Sequence, residues 1–306
     1  CTSRHPCTFN TITRTTMLKT PSEVPLTHEF PWPAPAKINL FLHVVGRRDD
    51  GYHELQTVFQ FLDHGDTLFF RPRGDGVCRR ANDLKGVSQD QDLAVRAAQL
   101  LSQASGCGLG ADIRIEKRLP MGSGLGGGSS NAATTLMALN RVWNLGFTRD
   151  ELASLGLQIG ADVPVFIHGQ ASFAEGVGER LSSLTLPEPW YLIVTPPVNI
   201  STAEIFSSAD LRRDTPRITM RQFRAGSVTR NDCEPVTRAK YPLVDEAMNR
   251  LGKFATARMS GTGASVFAAF ASRPEALMAR SAMPRDWTSF IARGLNESPL
   301  SRLRAG

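Results

Sequence analysis

PMGSGLGGGSSN, residues 120–131, puts glycine at 122, 124, 126, 127 and 128, between one run that reads as a strand and another that reads as a helix. Glycine gives up more chain entropy on folding than any other residue. So much bare backbone serves a purpose where N–H groups must be approached closely, and a helix N-terminus behind it adds the positive end of its macrodipole. The flanks fit. Residues 111–117, ADIRIEK, alternate as a strand, and Ser130 or Asn131 can cap a helix running to about Asn144 with Gly146 just past its end. A flexible linker does not sit between a strand and a capped helix, so the loop reads as a cradle for phosphate.

Several phosphate loops are excluded by what is missing. Gly122 and Gly127 have the spacing of a P-loop, but position 128 is glycine where lysine is required. Gly122, Gly124 and Gly127 fit the dinucleotide fingerprint, yet the acids about 20 residues on, Asp150 and Glu151, open a helix instead of ending a second parallel strand. The V-A-I-K, H-R-D and D-F-G elements of protein kinases do not occur. A dinucleotide-dependent oxidoreductase and a nucleotide-binding protein without catalysis remain as readings of the loop.

Upstream of the loop, Ala36, Ile38, Leu40, Leu42 and Val44 alternate with Lys37, Asn39, Phe41 and His43, the pattern of a half-buried strand with Lys37 and Asn39 on one face. A turn at 48–51 leads to a second strand over about 55–62, and a third follows near 67–71. Residues 92–102 have helical spacing closed by Gly106, and Thr148 with Glu151 forms a capping box for a helix ending near Gly160. Past Arg180, the proline-rich segment 186–189 reads as a linker. The strand 190–195 then begins a second region of alternating strands and helices, with a basic, irregular stretch near 212–230. There is no internal repeat. The coarse reading is two α+β domains, at 31–180 and 181–302, after an extension over 1–30.

In that extension, residues 1–16 are rich in Thr and Arg and lack acids, like a transit peptide, but they are too short and weakly amphipathic; the native start is expected at Met17. The chain has 306 residues, 41% hydrophobic and 21% charged, and no apolar run near the ~18 residues of a membrane span. Five scattered cysteines signal neither a disulfide framework nor a zinc site, which suits a reducing, cytoplasmic setting. A net charge of +6 favours an anionic small molecule over nucleic acid, because the basic residues are spread out and not interleaved with aromatics.

The loop resembles that of the GHMP kinases, named for galactokinase, homoserine, mevalonate and phosphomevalonate kinases. PAKINL at 35–40 and RMSGTGASVF at 258–267 resemble the superfamily's other two motifs. Segments 46–66, 160–166, 176–179, 231–234 and 294–300 are similar to one branch of it, which phosphorylates the 2-hydroxyl of a methylerythritol carrying a cytidine diphosphate in the non-mevalonate isoprenoid pathway. The likeness runs from Pro31 to Arg302. It implies ATP and Mg2+ as cofactors. It also implies an N-terminal domain like ribosomal protein S5 domain 2, a ferredoxin-like C-terminal domain, and a monomer or homodimer. Mevalonate or homoserine phosphorylation stays open if the cytidine reading fails.

Lys37, inside a strand among apolar neighbours, needs either an anion or a path to solvent for its ammonium. The resemblance pairs it with Asp162, expected at the end of a helix, as the catalytic base. By the same resemblance Asn39 contacts substrate hydroxyls or holds Asp162. Tyr52 and His53 take the cytosine, with Phe206 closing the sandwich and Thr202 nearby; Phe59 lines that pocket or packs in the core. ATP falls to Lys117, Pro120, Met121, Gly122, Ser123, Gly124, Leu125, Gly126, Gly127, Gly128, Ser129 and Ser130, with Ser130 the one candidate to approach the metal. Gly261 and Gly263 narrow the cleft or simply join strands. Two positions depart from the family: Ser123, where glycine is common, and Asp92, where asparagine often touches the nucleotide and aspartate can only accept.

Overall fold

A computed structural model describes residues 30–49 and 51–302, leaving aside the side chain of Arg302. The expected extension, its start at Met17, Cys1, Cys7 and Asp50 lie outside the described residues, Phe30 excepted. The chain opens with β1 (Trp32–Arg47), β2 (His53–Arg73), β3 (Cys78–Arg80), α1 (Leu93–Ser105) and β4 (Gly110–Glu116). The glycine loop leads to α2 (Gly127–Val142), α3 (Arg149–Leu157), α4 (Val163–His168), β5 (Ser172–Gly176) and β6 (Arg180–Ser183). Then come β7 (Trp190–Thr195), α5 (Thr202–Ser207), α6 (Met220–Arg224), α7 (Glu234–Lys240), α8 (Pro242–Leu251), β8 (Arg258–Met259), β9 (Val266–Phe270), α9 (Arg273–Ser281), β10 (Thr288–Leu295) and α10 (Pro299–Arg302).

The strands run β3-β4-β2-β10-β7-β9-β8, with β1 and β5 also on β2 and β6 on β5. Only β3 and β4 pair in parallel among these named strands. Strand β10 bridges the two halves: it lies along β7 and reaches β2 at Leu62 and Phe61. One core packs α1, α2, α3 and α4 against the first half's strands, with Phe61, Leu136 and Phe166 at its centre. A second gathers Leu192, Val266, Val244 and Leu251 in the other half. A third is shared, because Ile38 and Leu62 pack with Ile193, Phe267 and Leu125 of the glycine loop. Burying a leucine such as Leu125 contributes about 2 kcal/mol, so the loop is fastened to both halves at once.

Several expected elements differ. The alternation in β1 does not leave a wet face: Ile38 belongs to the shared core, Leu42 and Val44 to the second, and Phe41 to a fourth cluster with Val58 and Phe173. The second and third expected strands are one strand, β2. Gly65, between those two spans, is a point of close approach, where a Cβ would stand 2.2 Å from the Ala34 carbonyl oxygen. Helix α2 starts within the glycine run, capped by Gly126 in the left-handed region (φ 73°) and not by Ser130 or Asn131. The segment holding Asp162 does not end a helix; Asp162 is the N-cap of α4. The capping box of Thr148 and Glu151 forms as expected, with both arms in place.

Candidate active site

A cavity of about 1080 Å3 runs from the glycine loop past Lys37 and Asp162 to Tyr52, His53, Thr202 and Phe206. At its centre Lys37 Nζ lies 3.1 Å from Asp162 Oδ2. The lysine is 4% exposed and the aspartate 34%, so the carboxylate faces the cleft while the ammonium sits behind it. The two other donors of the ammonium go to Asn39 Oδ1 at 2.6 Å and to the Gly124 carbonyl at 3.2 Å. Phe59 lies under it, ring centre 5.2 Å from Nζ, and both packs in the core and lines the cavity. The buried lysine therefore has anionic and carbonyl partners, and the path to solvent is not used.

Asn39 turns toward the lysine instead of gripping Asp162, since Oδ1 accepts from Lys37 while Nδ2 donates to Thr57 Oγ1 at 2.9 Å. Thr57 in turn donates to the Phe41 carbonyl. The RMSGTG segment reaches the same spot: Ser260 Oγ donates to the Gly124 carbonyl at 2.9 Å and accepts from the Asn39 amide at 3.2 Å. A Cβ on Gly124 would stand 2.2 Å from the Ser260 carbonyl oxygen. Gly261 lines the cavity and Gly263 does not, so of the two expected glycines only the first narrows it.

The loop itself is held by side chains outside the run of glycines. Asp66, fully buried, accepts from the amides of Arg118 and Leu119 at 2.8 and 2.9 Å and pairs with Lys117 Nζ at 2.5 Å. With its amide turned as its neighbours require, Asn131 also donates to Asp66, at 3.0 Å. The Lys37 amide donates to the Leu125 carbonyl at 3.0 Å. Because no side chain caps α2, the amides of its first turn are left to whatever enters the cavity beside Gly126, Gly127, Gly128 and Ser129.

Lys117, Pro120, Met121, Gly122, Ser123 and Gly124 line the cavity as well. Leu125 and Ser130 do not. Leu125 points into the shared core, and Ser130 is fully buried in the first turn of α2, its Oγ without a partner. Ser130, the candidate to approach a metal, therefore stands behind the cavity wall, in the first turn of α2. The added side chain of Ser123 folds back, its Oγ donating to the Pro120 carbonyl at 2.8 Å, clear of the phosphate path.

Beyond Met121 the wall becomes apolar, with Leu84, Val87 and Leu93. Asp92 lines this end, but its carboxylate is committed: Oδ1 caps α1 through the Ala94 amide at 2.9 Å, and Oδ2 accepts from Arg80 Nη1 at 2.7 Å. Arg80 also donates to the Val87 carbonyl, so it shapes the segment that supplies the apolar wall. At the opposite end Phe206 lies against His53, ring centres 5.1 Å apart and tilted by 32°, and Tyr52 stands 65% exposed at the rim. Phe206, expected to close a sandwich with Tyr52, thus lies on the imidazole of His53. The Thr202 and Thr262 hydroxyls share a hydrogen bond at 3.0 Å, and both line the cavity. Burial foremost, with help from the Arg213 and Arg47 guanidiniums, lowers the pKa of His53 below its ordinary 6.5.

Sequence reasoning missed Asp66, Thr57, Ser260, Arg80, Arg213 and the apolar wall. Asp66 and Ser260 lie inside segments already singled out, where a polar residue amid motif glycines was the available signal. Leu84 and Val87 sit in a stretch without periodicity, which gave none.

Residues 92–170 match the family described as GHMP kinases N terminal domain, and residues 211–288 match GHMP kinases C terminal. A protein of Alkalilimnicola ehrlichii named 4-diphosphocytidyl-2-C-methyl-D-erythritol kinase is 58% identical over 274 residues, covering 89% of this chain and 94% of that one. The crystal structure of a 4-(cytidine 5'-diphospho)-2C-methyl-D-erythritol kinase superposes with a TM-score of 0.75 at 31% identity, over 87% of this chain and 99% of the other. The mevalonate kinase of Methanococcus jannaschii, at 16% identity and a TM-score of 0.64 over 89% of this chain and all (100%) of its own, shares the fold.

Proposed function

Since the chain belongs to the 4-diphosphocytidyl-2-C-methyl-D-erythritol kinases of the GHMP kinase family, we propose that its cleft holds ATP at the glycine loop and presents the 2-hydroxyl of that substrate to Asp162. The reaction is the ATP-dependent phosphorylation of 4-diphosphocytidyl-2-C-methyl-D-erythritol in the non-mevalonate route to isoprenoid precursors. The observation that supports the division of labour is the Lys37–Asp162 pair, brought to 3.1 Å from 125 positions apart and set beside the Gly124 carbonyl.

Phosphoryl transfer demands alignment and charge neutralisation more than covalent work. Asp162 takes the proton of the substrate hydroxyl as its oxygen bonds to the γ-phosphorus and the bond to the ADP oxygen breaks. Lys37 fixes the carboxylate, and its third donor can pass from the Gly124 carbonyl to a phosphoryl oxygen. The first-turn amides of α2 and Lys117 hold the remaining phosphate oxygens. Among the described residues no three His, Cys, Asp or Glu side chains converge. A magnesium ion would accordingly be held by phosphates and water, and its chemistry is to offset charge on the transferred group.

The apolar wall of Leu84, Val87, Leu93 and Met121 takes the adenine, and the Tyr52, His53 and Phe206 end takes the cytosine. Among the described residues no helix is long and apolar enough to cross a membrane; a cytoplasmic setting is proposed from the scattered cysteines, which suit a reducing compartment, and the chain is proposed to act as a monomer or homodimer. A coupled ADP-release assay with several alcohols tests the reading. Turnover with the diphosphocytidyl compound, absent with mevalonate and homoserine and lost in Asp162→Ala, supports it. Tight NAD(P)H binding without any effect of ATP would favour an oxidoreductase and end it.

A further inference from the structure

Arg213 lies in the irregular stretch between α5 and α6, and its guanidinium makes four hydrogen bonds at one end of the cleft. Nε donates to His53 Nε2 at 3.1 Å, Nη1 to the Leu211 carbonyl at 2.9 Å, and Nη2 to the carbonyls of Phe206 and Ser208 at 3.0 and 2.7 Å. Phe206 and Ser208 flank the C-terminal end of α5, where carbonyls lack intrahelical partners. The other side of α5 is latched by Glu204, which accepts from Lys240 at 2.9 Å and Tyr241 at 2.7 Å.

A guanidinium has donors and no acceptor. The imidazole nitrogen facing it must therefore carry a lone pair, which places the proton of the neutral ring on Nδ1. We propose that Arg213 is a positioning residue for the pyrimidine end of the cleft: it selects the Nδ1–H tautomer of His53 and, through the end of α5, sets Phe206 against that ring. His53 then offers a single donor, Nδ1–H, to an acceptor on the base, and the charged imidazolium cannot form without losing the Arg213 contact. The inference rests on the reading that Tyr52, His53 and Phe206 receive the cytosine. The charged groups acting on His53 are Arg213, from the α5–α6 connection, and Arg47, opposite His53 at the end of β1; both are cationic and both oppose its protonation.

Steady-state kinetics of Arg213→Gln and Arg213→Lys across pH 5.5–8.5 test this, with thermal melting to establish that each variant is folded. The KM for the diphosphocytidyl substrate is expected to rise about tenfold or more, with kcat and the KM for ATP within about twofold. Removing one cause of the lowered His53 pKa moves it upward, so the acid-side loss of substrate affinity should begin at higher pH in Arg213→Gln than in the parent. An arginine that merely anchored its loop would lower the melting temperature and leave that acid limb in place. An unmoved limb in Arg213→Gln, or a substrate KM within twofold, overturns the inference. His53→Gln separates the two levels: if it leaves the substrate KM unchanged, the cytosine reading fails and this inference with it. If it raises KM while the Arg213 variants do not, only the role of Arg213 is lost. Should Arg213→Gln fail to fold, the substrate KM of Arg213→Lys decides, since lysine keeps the cation beside His53 and is expected to leave the acid limb in place.

Discussion

The two ends of the cleft are built from different materials. At the phosphate end the contacts are backbone to backbone or backbone to buried side chain: Lys37 amide to Leu125, Ser265 amide to Ser123, Ser260 and Lys37 to the Gly124 carbonyl, and Asp66 to two successive amides. At the pyrimidine end the parts are side chains on short or irregular elements, with Tyr52 at the rim and Phe206 on a helix of six residues. The first end has little room to vary, since its neighbours are main-chain atoms that cannot rotate away. The second can be tuned one rotamer at a time. Chemistry needs fixed geometry, whereas base recognition tolerates small adjustments.

That contrast can be broken or sharpened by substitution. The largest effect should come from Asp162→Ala, which removes the proposed base and leaves the Lys37 ammonium without its carboxylate; kcat is expected to fall by about 10^2 to 10^4, with both KM values changing far less. Gly124→Ala comes next. Its φ of 77° and the 2.2 Å approach of a Cβ to the Ser260 oxygen force the loop off the RMSGTG segment, so titration with a fluorescent ATP analogue should show binding weakened by about 100-fold or more, on the order of 3 kcal/mol.

Asp66→Ala strips a buried carboxylate from Lys117 and from two amides. A loss of about 3 kcal/mol in urea unfolding is expected, together with a raised KM for ATP and an unchanged KM for the cytidine substrate. Phe206→Ala should do the converse: roughly 1 kcal/mol of ring contact is lost, read as a five- to tenfold rise in the KM for the cytidine substrate alone. Ser123→Gly removes a single hydrogen bond to Pro120, worth about 1 kcal/mol at most, and should leave the KM for ATP within about twofold. If Asp66→Ala and Phe206→Ala each shifted both KM values together, the two ends would be acting as one unit.

Much of the phosphate end was legible in the chain, because glycine at 122, 124 and 126 reports a backbone requirement directly, and the positive φ values at all three are that requirement met. Strand alternation placed Lys37 and Asn39 on one face, and their 2.6 Å contact follows from it. The extent of burial in β1 was not legible. Alternation implies one wet face, but whether that face stays wet depends on which other segments arrive to cover it, here β9 and the 218–223 region. Two strands were expected over 55–62 and 67–71 for a similar reason: a glycine between them, Gly65, permits either a turn or a close approach, and only the position of Ala34 decides between them. Asp92 illustrates the limit for a polar residue: the chain shows that aspartate can only accept where asparagine is common, and only the fold shows that Arg80 and the α1 cap occupy those acceptors.

By itself the sequence determined that bare backbone lies between a strand and a helix, that residues 36–44 run as a strand, and that the Lys37 ammonium has to find a partner. These follow from conformational preference and periodicity, which act within a few residues. Only the tertiary structure decided that Leu125 and Ser130 turn away from the cleft, that Asp66 holds the loop, and that Arg213 reaches His53. Each of those outcomes depends on which groups remain unpaired once distant segments have packed, and that competition for hydrogen-bond partners has no local signature.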